Sequence, residues 1–202
     1  MQIEYEVKIL DIDVDNIEKK LLDLWAKFLG EKFQKRYVYD FNPINPNKWI
    51  RLRQKWDKVE LTVKEILDDS ITWTREIETT VGDFETTNLL LNELWYKAKA
   101  YQENKRRSYI LDWVEIEIDF WPLIPVYMEI EGKNEKEVEQ IVKKLGYSMS
   151  DTTSINTTKV YDKYWINLSE IKELKFNKKR NSLTISFFTC LIHHFKNFFC
   201  LF

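Results

Sequence analysis

Val114-Glu115-Ile116-Glu117-Ile118-Asp119-Phe120-Trp121 alternates apolar and acidic residues over its first seven positions. A period of two is the mark of a strand with unlike faces. Glu115, Glu117 and Asp119 take one side, and Val114, Ile116, Ile118 and Phe120 the other. Beyond Pro122 and Pro125 the scheme repeats, with Tyr127, Glu129 and Glu131 set against Val126, Met128 and Ile130, until Gly132 ends it. Residues 3–9 open the chain in the same way, Ile3, Tyr5, Val7 and Ile9 alternating with Glu4, Glu6 and Lys8.

Between these lie further strands. Residues 35–41 form one, which runs into the turn-rich stretch 42–47. Residues 48–56 separate Arg51, Arg53 and Lys55 from Ile50 and Leu52, and 59–66 separate Glu60, Thr62 and Lys64 from Val59, Leu61 and Val63. Residues 71–81 gather Thr72, Thr74, Glu76 and Glu78 on one face, and 100–111 place Lys105, Arg107 and Tyr109 together. A period near 3.6 predicts helices over 14–29 (stripe Ile17, Leu21, Leu24, Trp25, Phe28, stopped by Gly30) and 83–96 (Leu90, Leu91, Leu94 buried, Asp83 as N-cap). A third runs from Asn134 to Leu145 and is closed by Gly146. Eight strands and three helices are expected by Leu145, an α+β protein.

Composition narrows the chemistry. The 202 residues carry a net charge of −2, which offers no bulk-charge case for binding DNA. Both Cys and both His lie after Ser169, so residues 1–168 hold no soft or imidazole metal ligand and no thiol nucleophile. The charged opening contains no apolar signal, and the expected compartment is the cytoplasm. Trp49, Trp56, Trp73, Trp113 and Trp121 are read mostly as packing residues rather than base-stacking ones.

The charges are sorted by strand: carboxylates on the first, seventh and eighth, ammonium and guanidinium groups on the third, fourth and sixth. A single polar strand face normally meets water. Repeated same-face charges of both signs instead suggest a polar interior, with the apolar residues outside meeting helices. An eight-stranded antiparallel barrel has room inside for a small ligand. Its Arg and Lys would hold a polyanion, and its carboxylates a hard divalent cation, Mg²⁺ or Mn²⁺.

Glu4-Tyr5-Glu6-Val7-Lys8 resembles the ExExK motif of the CYTH superfamily, the triphosphate tunnel metalloenzymes. Arg51 with Arg53, Lys64, Arg75-Glu76-Ile77-Glu78, Lys105-Arg106-Arg107, Asp119 and Glu129-Ile130-Glu131 follow in the family's order, over roughly residues 1–168. The resemblance implies an eight-stranded antiparallel tunnel with helices packed outside, and a Mg²⁺- or Mn²⁺-dependent enzyme acting on a small triphosphate or nucleotide. Hydrolysis of tripolyphosphate, thiamine triphosphate or a nucleoside triphosphate is the leading reading. The alternatives are a class IV adenylate cyclase and a non-catalytic binder of nucleotide or polyphosphate.

Carried over residue by residue, Glu4, Glu6, Asp119, Glu129 and Glu131 become metal candidates, and Lys8, Arg51, Arg53, Lys64, Lys105 and Arg107 phosphate candidates. Glu4, Glu6, Lys8 and Lys64 are the catalytic candidates, with Glu76, Glu78 and Glu117 as further possibilities. Glu115 is expected at the solvent end, Arg75 in an external ion pair, and Tyr127 beside Glu129. Residues 169–202, basic and then Phe-rich, are expected outside the domain, with a membrane or partner contact as the minor alternative; oligomeric state is left open.

Overall fold

A computed structural model describes residues 5–66 and 74–176. The elements run β1 (Tyr5–Ile9), α1 (Val14–Asp23), β2 (Lys27–Asn45), β3 (Lys48–Lys55), β4 (Lys58–Ile66), β5 (Thr74–Val81), α2 (Phe84–Glu93), β6 (Ala98–Leu111), β7 (Val114–Phe120) and β8 (Tyr127–Gly132). Then come α3 (Glu135–Lys144), α4 (Thr157–Lys163) and the short β9 (Glu173–Leu174). Eight strands form one curled antiparallel sheet, a half-barrel, in the order β1-β8-β7-β6-β2-β3-β4-β5, and β9 adds in parallel to β6. The expected eight-stranded antiparallel architecture with outer helices is the one observed.

Register makes the two faces continuous. Val7 pairs with Ile130, which pairs with Ile116, while Lys8 pairs with Glu129, which pairs with Glu117. Residues opposite one another in a ladder share a side of the sheet, so the alternation in each strand joins into one apolar and one polar surface. The apolar surface is convex and buried under helices. Val7, Ile9, Ile116, Ile118, Met128 and Ile130 pack with Ile17 and Leu21 of α1 and Val138, Ile141 and Val142 of α3. Tyr39, Ile50, Leu52 and Val59 pack with Phe84 and Leu91 of α2. Asp13, Asp83, Asn134 and Asn156 each cap a helix by accepting a backbone N–H three residues on, so the expected Asp83 cap is present.

Several boundaries differ from expectation. The first helix ends at Asp23, and residues 27–29 belong to β2, which is far longer than 35–41. Ile17 and Leu21 are buried as expected, but Trp25 turns into the left-handed region and is 92% exposed. Gly30 sits at a β2–β6 register shift rather than at a helix stop. In α2 the inward stripe is Phe84, Asn88 and Leu91, Asn88 accepting from the Tyr39 hydroxyl at 2.8 Å, and Leu90 and Leu94 face out. Of the tryptophans expected to pack, Trp121 is buried, Trp56 and Trp113 are exposed, and Trp73 lies outside the described residues.

The last difference is the domain edge. Residues beyond 144 form a third cluster in which Val160, Tyr161, Leu168 and Leu174 bury Trp121 and Tyr127. Tyr127 pairs with Asp119, so this cluster closes on the polar side of the sheet and supplies an apolar floor. Leu174 is 1% exposed and β9 pairs with β6, so a boundary at 168 cuts through packed structure. Residues 177–202, including His193 and His194, lie outside the described residues. Among the described residues no helix is long and apolar enough to cross a membrane.

Leu174→Ala should therefore cost about 2–4 kcal/mol. A chain ending at residue 168 should unfold at lower urea than one ending at 176, followed by circular dichroism. Equal midpoints would show that β9 contributes nothing.

Candidate functional site

The polar face divides into an acidic and a basic half. On the acidic side, Glu6 pairs with Glu131, Lys8 with Glu129, Glu129 with Glu117, and Asp119 with Arg106. The Arg106 guanidinium gathers three carboxylates. Its Nε donates to Asp119 Oδ1 at 2.8 Å and Nη2 to Glu129 Oε2 at 2.6 Å, with further bonds to the second Asp119 oxygen and to Glu117. Reaching from β6 over β7 to β8 requires the sheet to curl around this face. Lys8 is hydrogen-bonded to Glu6 and lies 3.3 Å from Glu129, while Asn104 Nδ2 donates to Asp119 Oδ1 at 3.0 Å.

Burial raises the neighbouring acids alike, and the nearby cations separate them. Burial pushes Asp119 up to about 7 against the pull of Arg106, with Glu129 adding repulsion. Burial would raise Glu129 as well, but Lys8 and Arg106 hold it down to about 2. Glu117 is also raised, by burial first. Glu6, Glu117, Asp119, Glu129 and Glu131 outnumber Lys8 and Arg106, so this half carries surplus negative charge.

The basic half comes from β2 to β5. Arg53 Nη2 donates to Glu60 Oε2 at 2.9 Å, and Lys55 and Lys58 approach the same carboxylate at 3.1 and 2.8 Å. Burial would raise Glu60, yet Lys58, Arg53 and Lys55 hold it down to about 2. Arg51 lies 3.6 Å from Glu78 and 3.8 Å from Glu76, Lys64 pairs with Glu76, and Thr62 donates to Glu78 at 2.8 Å. Arg36 joins the two halves through Asn104, its guanidinium over the Trp121 ring at 4.7 Å.

Here the cations are in excess: Arg36, Arg51, Arg53, Lys55 and Lys64 face Glu60, Glu76 and Glu78. Burial and the neighbouring Arg53 push Arg51 down to about 9, and burial with Arg53, Arg51 and Arg106 pushes Arg36 well below its usual value. The Nε atoms of Arg36, Arg51 and Arg53 are buried without an acceptor among the described residues. A buried donor left unpaired is costly, and the oxygens of a bound anion are one set of acceptors that would satisfy it.

Most sequence-read candidates meet on this face: Glu6, Lys8, Arg51, Arg53, Lys64, Glu76, Glu78, Glu117, Asp119, Glu129 and Glu131. Glu4 lies outside the described residues. Lys105 and Arg107 are on the other side. Arg107 binds Glu18 of α1 at 3.0 Å and Glu31 at 2.8 Å, and Lys105 lies 5.7 Å from the Phe176 ring. Three consecutive cations leave the parity of β6 undecided, but Tyr109 and Leu111, both in the convex core, settle it and turn Arg106 inward. Arg36, Glu60, Asn104 and Arg106 are the polar residues that sequence reading missed. The alternation of Tyr37 and Tyr39 was the available signal for Arg36. Arg75 makes an outer pair with Glu65 at 3.7 Å, as expected.

The acidic half offers only carboxylate oxygens, the donor chemistry that suits Mg²⁺ or Mn²⁺. Its side chains, however, converge on Arg106 and Lys8, and among the described residues no carboxylate trio stands ready around a shared point. Glu6, Asp119, Glu129 and Glu131 would be the holders once those cations move.

Solved structures share this architecture. A Pyrococcus horikoshii protein, PH1012, is 26% identical with a TM-score of 0.67, over 76% of this chain and 96% of its own. A Vibrio parahaemolyticus protein named for a suspected adenylate cyclase activity is 14% identical with a TM-score of 0.67, over 80% and 98%. A Hippeastrum protein whose name records a dominant triphosphatase activity is 15% identical with a TM-score of 0.58, over 85% and 100%. No curated protein matches the chain in sequence. The CYTH domain model matches residues 2–155, which takes in every strand from β1 to β8. This chain is a member of the CYTH domain family.

Proposed function

We propose that the concave face binds a linear triphosphate and, with Mg²⁺ or Mn²⁺, hydrolyses it. The observation that carries this reading is the trio of buried guanidinium Nε atoms without acceptors, on Arg36, Arg51 and Arg53, facing a half with surplus carboxylate. A guanidinium offers phosphate two parallel donors, and at this burial the attraction is little screened.

Arg51 and Arg53 would grip the phosphate chain, and Arg36 would meet it from the floor side. Lys64 would add a point charge once drawn from Glu76. Together they neutralise charge that grows on the leaving phosphate, the main demand of phosphoryl transfer. Glu6, Asp119, Glu129 and Glu131 would hold the divalent cation, which when bound supplies charge neutralisation and orients the attacking water. Lys8, set between Glu6 and Glu129, holds both carboxylates in place and, with Arg106, keeps Glu129 ionised.

The test is a panel of tripolyphosphate, thiamine triphosphate and ATP with Mg²⁺ or Mn²⁺, analysed for phosphate, pyrophosphate and cyclic AMP. Orthophosphate released from a triphosphate is expected. Cyclic AMP with pyrophosphate would replace hydrolysis by cyclisation, and tight binding without product would leave only a binder. Glu6→Gln should bring turnover to background with an unchanged circular-dichroism spectrum, and full turnover in excess chelator would overturn the metal requirement.

Arg51→Ala and Arg53→Ala should each weaken tripolyphosphate binding by about 1.5–3 kcal/mol, read by calorimetry. Unchanged affinity in both would remove the basic half from the site.

A further inference from the structure

Among the described residues, eight other than glycine hold a left-handed φ: Asp11, Trp25, Trp56, Trp95, Asp112, Trp113, Leu123 and Trp165. Asp tolerates this region, whereas for a bulky side chain it is an outlier. Five of the eight are tryptophan.

Their places are not arbitrary. All four α-helices end in the same hydrogen-bonded motif. After α3 the left-handed residue is Gly146, whose N–H bonds Lys143 O at 2.9 Å while Tyr147 N–H bonds Val142 O at 3.0 Å. Trp25 after α1, Trp95 after α2 and Trp165 after α4 occupy the same position with the same paired bonds, Trp25 to Leu22 O and Ala26 to Leu21 O, for example, at 3.0 and 2.9 Å. Glycine is the usual occupant of that position. The other two are in two-residue hairpins. Asp112-Trp113, both at positive φ, joins β6 to β7 as a turn that favours Asp-Gly, and Trp56 takes the first position of the β3–β4 turn.

Nothing at these sites uses an indole. The five side chains are 64–92% exposed and none enters an aromatic or cation–π contact among the described residues. Trp121 is the contrast, buried, edge-on to Tyr161 at 6.3 Å and covered by Arg36. The whole chain has eight Trp against four Gly, an inversion of ordinary usage.

We infer that positions 25, 56, 95, 113 and 165 are glycine in the protein as its own cell makes it, specified by one triplet that this sequence renders as tryptophan. UGA fits, because genetic codes differ in reading it as stop, tryptophan or glycine, while UGG for Trp121 is invariant. The five exposed indoles are then no docking surface.

The gene should carry UGA at all five positions and UGG at Trp121, and peptides of the protein purified from its source should have glycine masses there. UGG at the five positions, or tryptophan in those native peptides, overturns the inference. In recombinant protein the combined Trp25→Gly, Trp56→Gly, Trp95→Gly, Trp113→Gly and Trp165→Gly chain should melt higher by on the order of 10 °C. Trp121→Gly should melt lower. A five-site variant that melts lower than the tryptophan chain would show that the indoles stabilise the fold.

Independently, the triple clasp of Arg106 on Glu117, Asp119 and Glu129 occupies the carboxylates that a divalent ion would need. We propose that Arg106 is a displaceable internal cation: it holds the acidic half together until a polyanion draws its guanidinium away, so that phosphate chain and metal bind with positive linkage. This rests on the functional reading above.

Mn²⁺ titrations followed by the electron-spin resonance of the free ion, with no phosphate present, test it. Arg106→Gln should bind Mn²⁺ at least ~10-fold more tightly than the parent, Arg106→Lys should fall between them, and Lys143→Gln, on the outer surface of α3, should match the parent. The lysine variant serves the same purpose if the glutamine variant fails to fold. Equal Mn²⁺ affinity in parent and Arg106 variants overturns the displacement and leaves the metal site standing. No Mn²⁺ binding by any of them overturns both.

Discussion

Burying charge on one side of a sheet governs this molecule. Lys8, Arg36, Arg51, Arg53, Glu60, Asp119 and Glu129 are each less than a tenth exposed. Ions so desolvated cost several kcal/mol apiece unless opposite charges and hydrogen bonds surround them. The curl of the sheet provides that compensation, because it brings side chains from strands two apart into contact, as with Arg106 and Glu129 or Arg51 and Glu78. The helices follow from the same constraint. With the polar residues committed to the concave side, most apolar residues of the eight strands face outward and need cover, which α1, α2 and α3 supply.

The compensation is incomplete in a patterned way. Surplus negative charge gathers near β1, β7 and β8, and surplus positive charge near β2, β3 and β4, with Arg36 and Asn104 at the seam. Burial first, with like charges adding to it, moves Asp119 up and Arg51 down, each toward its neutral form. Groups displaced in this way and gathered in one cleft cluster at functional sites.

Period-two patterning made the sheet legible residue by residue, since each strand had to place its apolar side outward. It worked wherever an unbroken alternation ran, as in β1, β3, β4, β7 and β8. It failed in β6, where Lys105-Arg106-Arg107 gives either parity a cation, and only the apolar positions farther along the strand decide. It overran α1 because Leu24, Trp25 and Phe28 continue a helical stripe on paper, while the backbone turns at Trp25 and starts β2. The closing segment carries apolar residues without a sustained strand or helix period. Tyr164, Ile166, Leu168, Ile171 and Leu174 are irregularly spaced, and the floor they form around Trp121 and Tyr127 explains their burial.

An open half-barrel leaves two strands with one unpartnered side each, and such edges are templates for unwanted sheet extension between molecules. The two are defended differently. In β1, Lys8 exchanges backbone hydrogen bonds with Thr153 at 2.7 and 2.9 Å, so that edge is already taken in part by the chain itself. β5 has no such cover among the described residues, but Arg75, Glu76 and Glu78 line it with charge. The sheet can thus stay unclosed around its cleft without becoming adhesive along its rims.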